Sequence, residues 1–115
     1  MNPEKLETLY DDLTSKARKI FKAKNSDYST GHDALDGFKV PAFDMDIDPI
    51  KAWYVFASKH WSAIRRYCVH GYIESEPIEG RLVDIINYAA LLYGIIKERE
   101  EDMGGTVFHK IHSES

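Results

Sequence analysis

Apolar residues recur every three or four positions in three separate stretches of the chain, and each recurrence predicts a helix. In the first, Leu6, Leu9, Tyr10, Leu13, Ala17, Ile20 and Phe21 trace one stripe. Pro3 suits an opening helical turn, where its missing N–H costs nothing. Lys16, Arg18, Lys19, Lys22 and Lys24 crowd the other end, where cations complement the helix dipole. From Asn25 to Pro49 the period vanishes. Ser29-Thr30-Gly31-His32-Asp33, Asp36-Gly37 and Pro41 are turn and breaker signals. This stretch reads as a long ordered loop with a helical turn over Ala34 to Phe38, pinned by Phe38, Val40, Phe43, Met45 and Ile47. Loops of this length in a small domain are more often functional than idle.

The second helix starts at Pro49 with Asp48 as its cap and stops at Gly71. Its expected core stripe is Ile50, Trp53, Tyr54, Ala57, Trp61, Ile64 and Cys68. The third runs from about Pro77 to Glu101 and is ended by Gly104-Gly105. Ile78, Leu82, Ile85, Ile86, Ala89, Leu92, Tyr93 and Ile96 form its stripe, and Val83, Ala90, Leu91 and Ile95 make much of the other side apolar too. A helix apolar nearly all round is expected to be buried nearly all round. Three helices do not enclose one of their number on every side. The expected fold is therefore all-α: a small bundle of three long helices and a long loop, completed by a homo-oligomer that buries the third helix, or else by the loop docked over it. Residues 1–103 form a single domain in this reading. Residues 104–115 form a tail whose Val107, Phe108 and Ile111 fold back on the domain or reach a neighbouring subunit.

Composition narrows the function. With 43% apolar, 30% charged and 12% aromatic residues in 115, the chain suits one compact domain and not a disordered one. A net charge of -4 argues against strong binding to a nucleic-acid backbone, which needs excess cation. Cys68 is the single cysteine, which leaves no internal disulfide and no multi-cysteine zinc cage. No apolar run approaches the roughly 18 residues of a membrane span, and the opening Met1-Asn2-Pro3-Glu4-Lys5 is unlike a secretory signal. A cytoplasmic protein with no membrane partner is expected.

The candidate chemistry centres on the third helix. Asp84, Asn87 and Tyr88 stand three and four apart, a polar strip on an otherwise apolar helix. Burying an unpaired carboxylate costs several kcal/mol, roughly, so Asp84 needs a cation, a metal or a set of donors. Lys59, His60, Arg65 and Arg66 on the second helix are candidate partners. A structural ion pair and a ligand site explain the strip equally well at this stage. Glu79 lies five residues before Asp84, and two carboxylates converging on one point would suit Mg²⁺. As a glutamate near a helix N-terminus, Glu79 is also simply dipole-compatible. Lys59, His60 and Arg66 fall off the core stripe and read as a solvated face, with phosphate contact as the sharper alternative. Trp61 and Cys68 read as core.

Two blocks carry a resemblance. One is Lys24-Asn25-Ser26-Asp27-Tyr28 followed by Asp33-Ala34-Leu35-Asp36-Gly37-Phe38. The other is Glu76-Pro77-Ile78-Glu79 followed by Leu82-Val83-Asp84-Ile85-Ile86-Asn87-Tyr88-Ala89. In this order the chain resembles, over roughly Phe21 to Lys97, the first type of nucleotide modification associated domain found in phage proteins. Gly37 stands where an Asn is usual there, and Ser62 where an Arg is frequent. The resemblance implies a nucleotide-handling protein of nucleotide metabolism or DNA base modification. Its ligand-binding residues would be Lys24, Asp27, Tyr28, Lys59, Arg65, Asp84, Asn87 and Tyr88, with Glu79 and Asp84 for Mg²⁺. Tyr28 would stack on a base, Lys59 and Arg65 would face phosphate, and Asn87 would read a polar edge.

The pattern is also distantly similar to all-α MazG-like and dimeric dUTPase-type pyrophosphohydrolases, which implies Mg²⁺-assisted hydrolysis of a (deoxy)nucleoside triphosphate. The paired Glu motifs of those enzymes are missing here: Lys59 and His60 occupy the place of the first, and Arg81 precedes Asp84 in the second. Two other functions remain open. One is non-catalytic sequestration of a signalling nucleotide against host antiviral defence. The other is a protein–protein inhibitor or adaptor using Asp44, Asp46, Asp48 and the Glu98-to-Asp102 run.

Overall fold

A computed structural model describes residues 1–26, 33–74 and 76–104. The chain is all-α: four helices, α1 (Pro3–Ser26), α2 (Asp36–Met45), α3 (Pro49–His70) and α4 (Ile78–Asp102), with no strand among the described residues. No helix is long and apolar enough to cross a membrane.

Local chemistry sets the helix ends. Asn2 Oδ1 accepts from the Lys5 N–H at 2.7 Å and opens α1. Asp48 Oδ1 accepts from the Ile50 N–H at 2.9 Å, with Pro49 in the first turn of α3. Gly71 ends α3 at a φ of 82°, which only a residue without Cβ adopts freely.

The long stretch expected as a loop contains a regular helix, α2. Pro41 lies inside it, and a ten-residue helix interrupted by proline leaves too little periodicity to register. Asp33 organises its approach by accepting from the Leu35 N–H at 2.8 Å and holding Lys39 Nζ at 2.6 Å. Lys39, then the Leu35 N–H, keep the Asp33 carboxyl below its ordinary range. At the far end Asp46 turns left-handed, at a φ of 56°, and the Ile47 N–H returns to the Ala42 carbonyl at 2.9 Å.

α4 lies between α1 and α3. It runs parallel to α1, since Lys16 meets Glu79 and Ala17 meets Asn87. It runs antiparallel to α3, since His60 meets Asp84 while Asp48, at the start of α3, meets Arg99 near the end of α4. The core gathers Leu35, Phe38, Ala42, Ala52 and Ile95, with Ile50, Trp53, Tyr88 and Leu91 packed against it. Of the five expected loop anchors only Phe38 is buried; Val40, Phe43, Met45 and Ile47 face outward. Leu35 and Ala42, one turn either side of Phe38, do the pinning.

The buried faces of the long helices also differ from expectation. α3 buries Ala52, Ala57, His60 and Ala63, while Tyr54, Trp61 and Cys68 are exposed. Small side chains let helix axes approach, so alanines occupy the crossing and the large rings are pushed to its edges. α4 buries only Val83 and Ile95 and leaves Leu82, Ala89 and Tyr93 exposed, so the described residues of one chain do not enclose it. On α1 only Ala17 is buried, and every residue from Met1 to Asp12 is exposed.

Candidate functional site

The parallel pairing of α1 with α4 brings two distant sequence segments to one place. Asn87 Nδ2 donates to the Ala17 carbonyl at 3.0 Å, holding the helices in register. One turn further on, Phe21, Lys24 and Asn25 of α1 face Asp84, Asn87, Tyr88 and Leu91 of α4. Ala34, Gly37 and Phe38 close the third side. The result is a cavity of about 210 Å³. Aromatic and aliphatic groups make its walls, and Lys24, Asn25, Asp84 and Asn87 supply its polar points.

Behind the cavity Asp84 meets His60, not Lys59. Asp84 Oδ2 lies 3.4 Å from His60 Nδ1, and the Arg81 guanidinium lies 3.1 Å from that same nitrogen. Guanidinium stays protonated and only donates, so His60 Nδ1 accepts and the ring carries its proton on Nε2. Burial holds the His60 imidazole below its ordinary pKa, against the pull of the Asp84 carboxylate. A neutral ring with its Nδ1 lone pair turned to Arg81 cannot donate to Asp84. Arg81 is partly buried, and its buried Nε approaches Glu76 Oε1 to 2.5 Å as an ion pair without lining up its N–H for a hydrogen bond. Asp84 is thus a partly buried carboxylate with no hydrogen-bond donor among the described residues, open toward the cavity.

Tyr88 is the hub of the surrounding rings. It packs against His60 at 4.9 Å between centroids, Phe38 at 6.1 Å and Trp53 at 6.4 Å. Trp53 Nε1 donates to the Tyr88 carbonyl at 2.8 Å. Burial, then the Asp84 charge, push the Tyr88 hydroxyl above its ordinary pKa, so it stays protonated and able to donate.

Four of the expected ligand residues, Lys24, Asp84, Asn87 and Tyr88, therefore line one cavity. Others do not. Lys59 is exposed on α3 beside the buried His60. Arg65 lies on the outer side of α3 with Trp53, Tyr54 and Trp61. Neither lines the cavity: six residues apart, they point to different sides of α3, and neither side faces the space between α1, α2 and α4. Asn87 departs from its expected role in part: one N–H of its NH₂ is spent on α1, which leaves the other N–H and the carbonyl oxygen without a partner among the described residues. Glu79 is exposed, bound to Lys16 at 3.1 Å, and does not line the cavity with Asp84. Among the described residues no group of three or more His, Cys, Asp or Glu could hold a metal. Among the described residues Asp84 is the single carboxylate facing the cavity, a poor fit to Mg²⁺. Asp27 and Tyr28 lie outside the described residues.

Phe21 and Phe38 line the site without having been expected there. Phe38 read as a loop anchor and Phe21 as helix core, and nothing local distinguishes a ring that packs from one that also lines a cavity. Arg81 had one signal, its placement three residues before Asp84 on the same face. Comparisons with protein-family models, curated proteins and solved structures find no match to this chain.

Proposed function

We propose that this chain is a nucleotide-binding protein of phage type, acting in nucleotide metabolism or DNA base modification, and that its ligand sits between α1, α2 and α4. The observation that carries the reading is Asp84, a partly buried carboxylate without a donor, open to a cavity walled by Phe21 and Phe38. A carboxylate so placed calls for a planar, apolar body with N–H groups on its edge, the description of a nucleobase. The Asn87 carbonyl oxygen adds a second acceptor, Tyr88 a donor, and Lys24 a cation for phosphate.

At about 210 Å³ the cavity is smaller than the ~300 Å³ at which most small-molecule pockets begin. It suits a base, with sugar and phosphate outside. The one lysine and one carboxylate that line the cavity among the described residues suit binding more readily than Mg²⁺-assisted hydrolysis of a triphosphate. Sequestration of a signalling nucleotide against host antiviral defence is thus the form of the proposal that needs least from the site. The protein would work in the host cytoplasm as a homo-oligomer.

The test is a thermal-shift and calorimetric panel of nucleosides, nucleoside mono- and triphosphates and cyclic nucleotides, with Mg²⁺ and with EDTA. A base-bearing ligand should raise the melting temperature. Asp84→Asn should abolish that shift, whereas Lys24→Ala should weaken phosphorylated ligands about tenfold and spare nucleosides. Absence of a shift across the whole panel would remove the proposal. Release of pyrophosphate would convert the binder into an enzyme.

A further inference from the structure

Two exposed apolar surfaces among the described residues are complementary in the charge that flanks them. The first is the opening of α1. Asn87 pairs with Ala17 deep in the bundle, so the parallel helix α1 runs on the order of 10 Å past the start of α4. On this overhang Leu6 is 61% and Tyr10 67% exposed. Glu4, Glu7 and Asp11, spaced three and four apart, run along one flank of that stripe. The three carboxylates have no ion-pair partner among the described residues.

The second is the groove between α3 and α4, with a volume of about 260 Å³. Ala57 and Ala89 form part of its floor, Trp53 and Trp61 stand on one side, Tyr93 and Ile96 on the other, and no charged residue lines it. Trp61 is 56% and Tyr93 62% exposed. Charge on α3 has one sign: the helix holds Lys51, Lys59, Arg65 and Arg66 and no Asp or Glu, and of the four Lys51 and Arg65 flank the groove. None of the four makes an ion pair among the described residues. Lys51 falls in line with Tyr54, Ser58, Ser62 and Arg65 along the outer edge of the groove.

We infer that the α1 overhang of one copy seats its Leu6–Leu9–Tyr10 stripe on the α3–α4 groove of a second copy, reciprocally, in a two-fold dimer. The Glu4–Glu7–Asp11 row then faces the cations of the partner's α3. Areas agree with this. An aromatic side chain offers about 150–250 Å², so the exposed parts of Tyr10, Tyr54, Trp61 and Tyr93 together present roughly 500 Å² per copy. With Leu6, Leu9 and Leu82 added, a reciprocal pair buries on the order of 1,600 Å², the size of a standard specific interface. The segment 105–115 is a weaker occupant of the groove, because it carries a single side-chain carboxylate, Glu114, with which to meet Lys51 and Arg65. The contact makes no use of the cavity beside Asp84, so it stands whether or not that cavity binds a nucleotide.

Sedimentation of the full chain tests it. The wild type should sediment at twice the chain mass, and added salt should weaken the pair. Glu7→Lys with Asp11→Lys, and separately Lys51→Glu with Arg65→Glu, should each loosen the dimer about tenfold or more. All four positions are exposed, so circular dichroism should stay unchanged. Mixing the two altered proteins should restore dimers, because each then meets opposite charge at both contacts. A monomeric wild type would overturn the inference. So would a dimer indifferent to either pair of substitutions, or a mixture that stays monomeric while both components remain folded.

Discussion

Helix α4 meets its two neighbours with opposite chemistry, although the residues responsible are adjacent in sequence. Toward α1 and α2 it presents Asp84 and Asn87, and the cavity there holds a carboxylate, two amides and a lysine. Toward α3 it presents Ile85 and Ala89, and the groove there holds no charge. Each step along a helix turns the side chain by about 100°, so one residue changes which surface it serves. Tyr88 borders both. On the cavity side, polar groups are drawn inward and left with unmet hydrogen-bonding capacity, the condition for recognising a small ligand. On the groove side, apolar area stays outside, the condition for recognising another protein surface.

The largest test of this contrast compares a ring from each side. Phe38 is 6% exposed, so Phe38→Ala should cost about 3–5 kcal/mol in urea denaturation. Trp61→Ala, on the groove, should cost the isolated chain less than half as much, despite removing the larger ring. Equal losses at low protein concentration would mean that the groove is closed within one chain.

Asn87 gives a smaller effect. Asn87→Ala removes the hydrogen bond to Ala17 and leaves that carbonyl without its second partner, which should cost about 1 kcal/mol. An unchanged denaturation midpoint would mean that this bond does not hold α1 to α4.

The smallest expected effect is a pH dependence. His60 has its pKa lowered by burial on folding, opposed by Asp84 and assisted by Arg81 and Lys59. The unfolded chain therefore takes up a proton at higher pH than the folded one does. His60's contribution to stability is complete above the ordinary histidine value of 6.5 and is lost as pH falls from there through its lowered folded value. Denaturation midpoints at pH 7.5 and 5.5 should differ in that direction. In His60→Gln the difference should shrink; if it persists, another group is responsible.

How much was legible depended on how local the cause was. Asp48, Pro49 and Gly71 mark the ends of α3 by their own backbone chemistry, and the structure has its helix between them. α2 was hidden because Pro41 and Gly37 signal breaks, while the burial of Leu35, Phe38 and Ala42 against α3 and α4 outweighs them. The inner face of α3 was misjudged for a related reason. Ranking residues by apolar area puts Trp61 inside, but two helices in contact need small side chains where they cross, so the alanines and His60 are inside. Asp84, Asn87 and Tyr88 stand out as polar residues on an apolar helix and Lys24 enters through the resemblance, whereas the role expected of Lys59 and Arg65 depends on which way α3 faces, which no local pattern reports.

The amino-acid order by itself determined that this chain is helical, where α1, α3 and α4 run, and that α4 carries a polar strip in apolar surroundings. These follow from periodicity and from capping, which act within a few residues. Only the tertiary structure decided that α1 lies parallel to α4, that His60 and not Lys59 backs Asp84, and that Lys24 and Phe21 share a cavity with a helix some 60 residues away. Those outcomes depend on which faces approach closely enough to exclude water, a property of pairs of helices that no single segment contains.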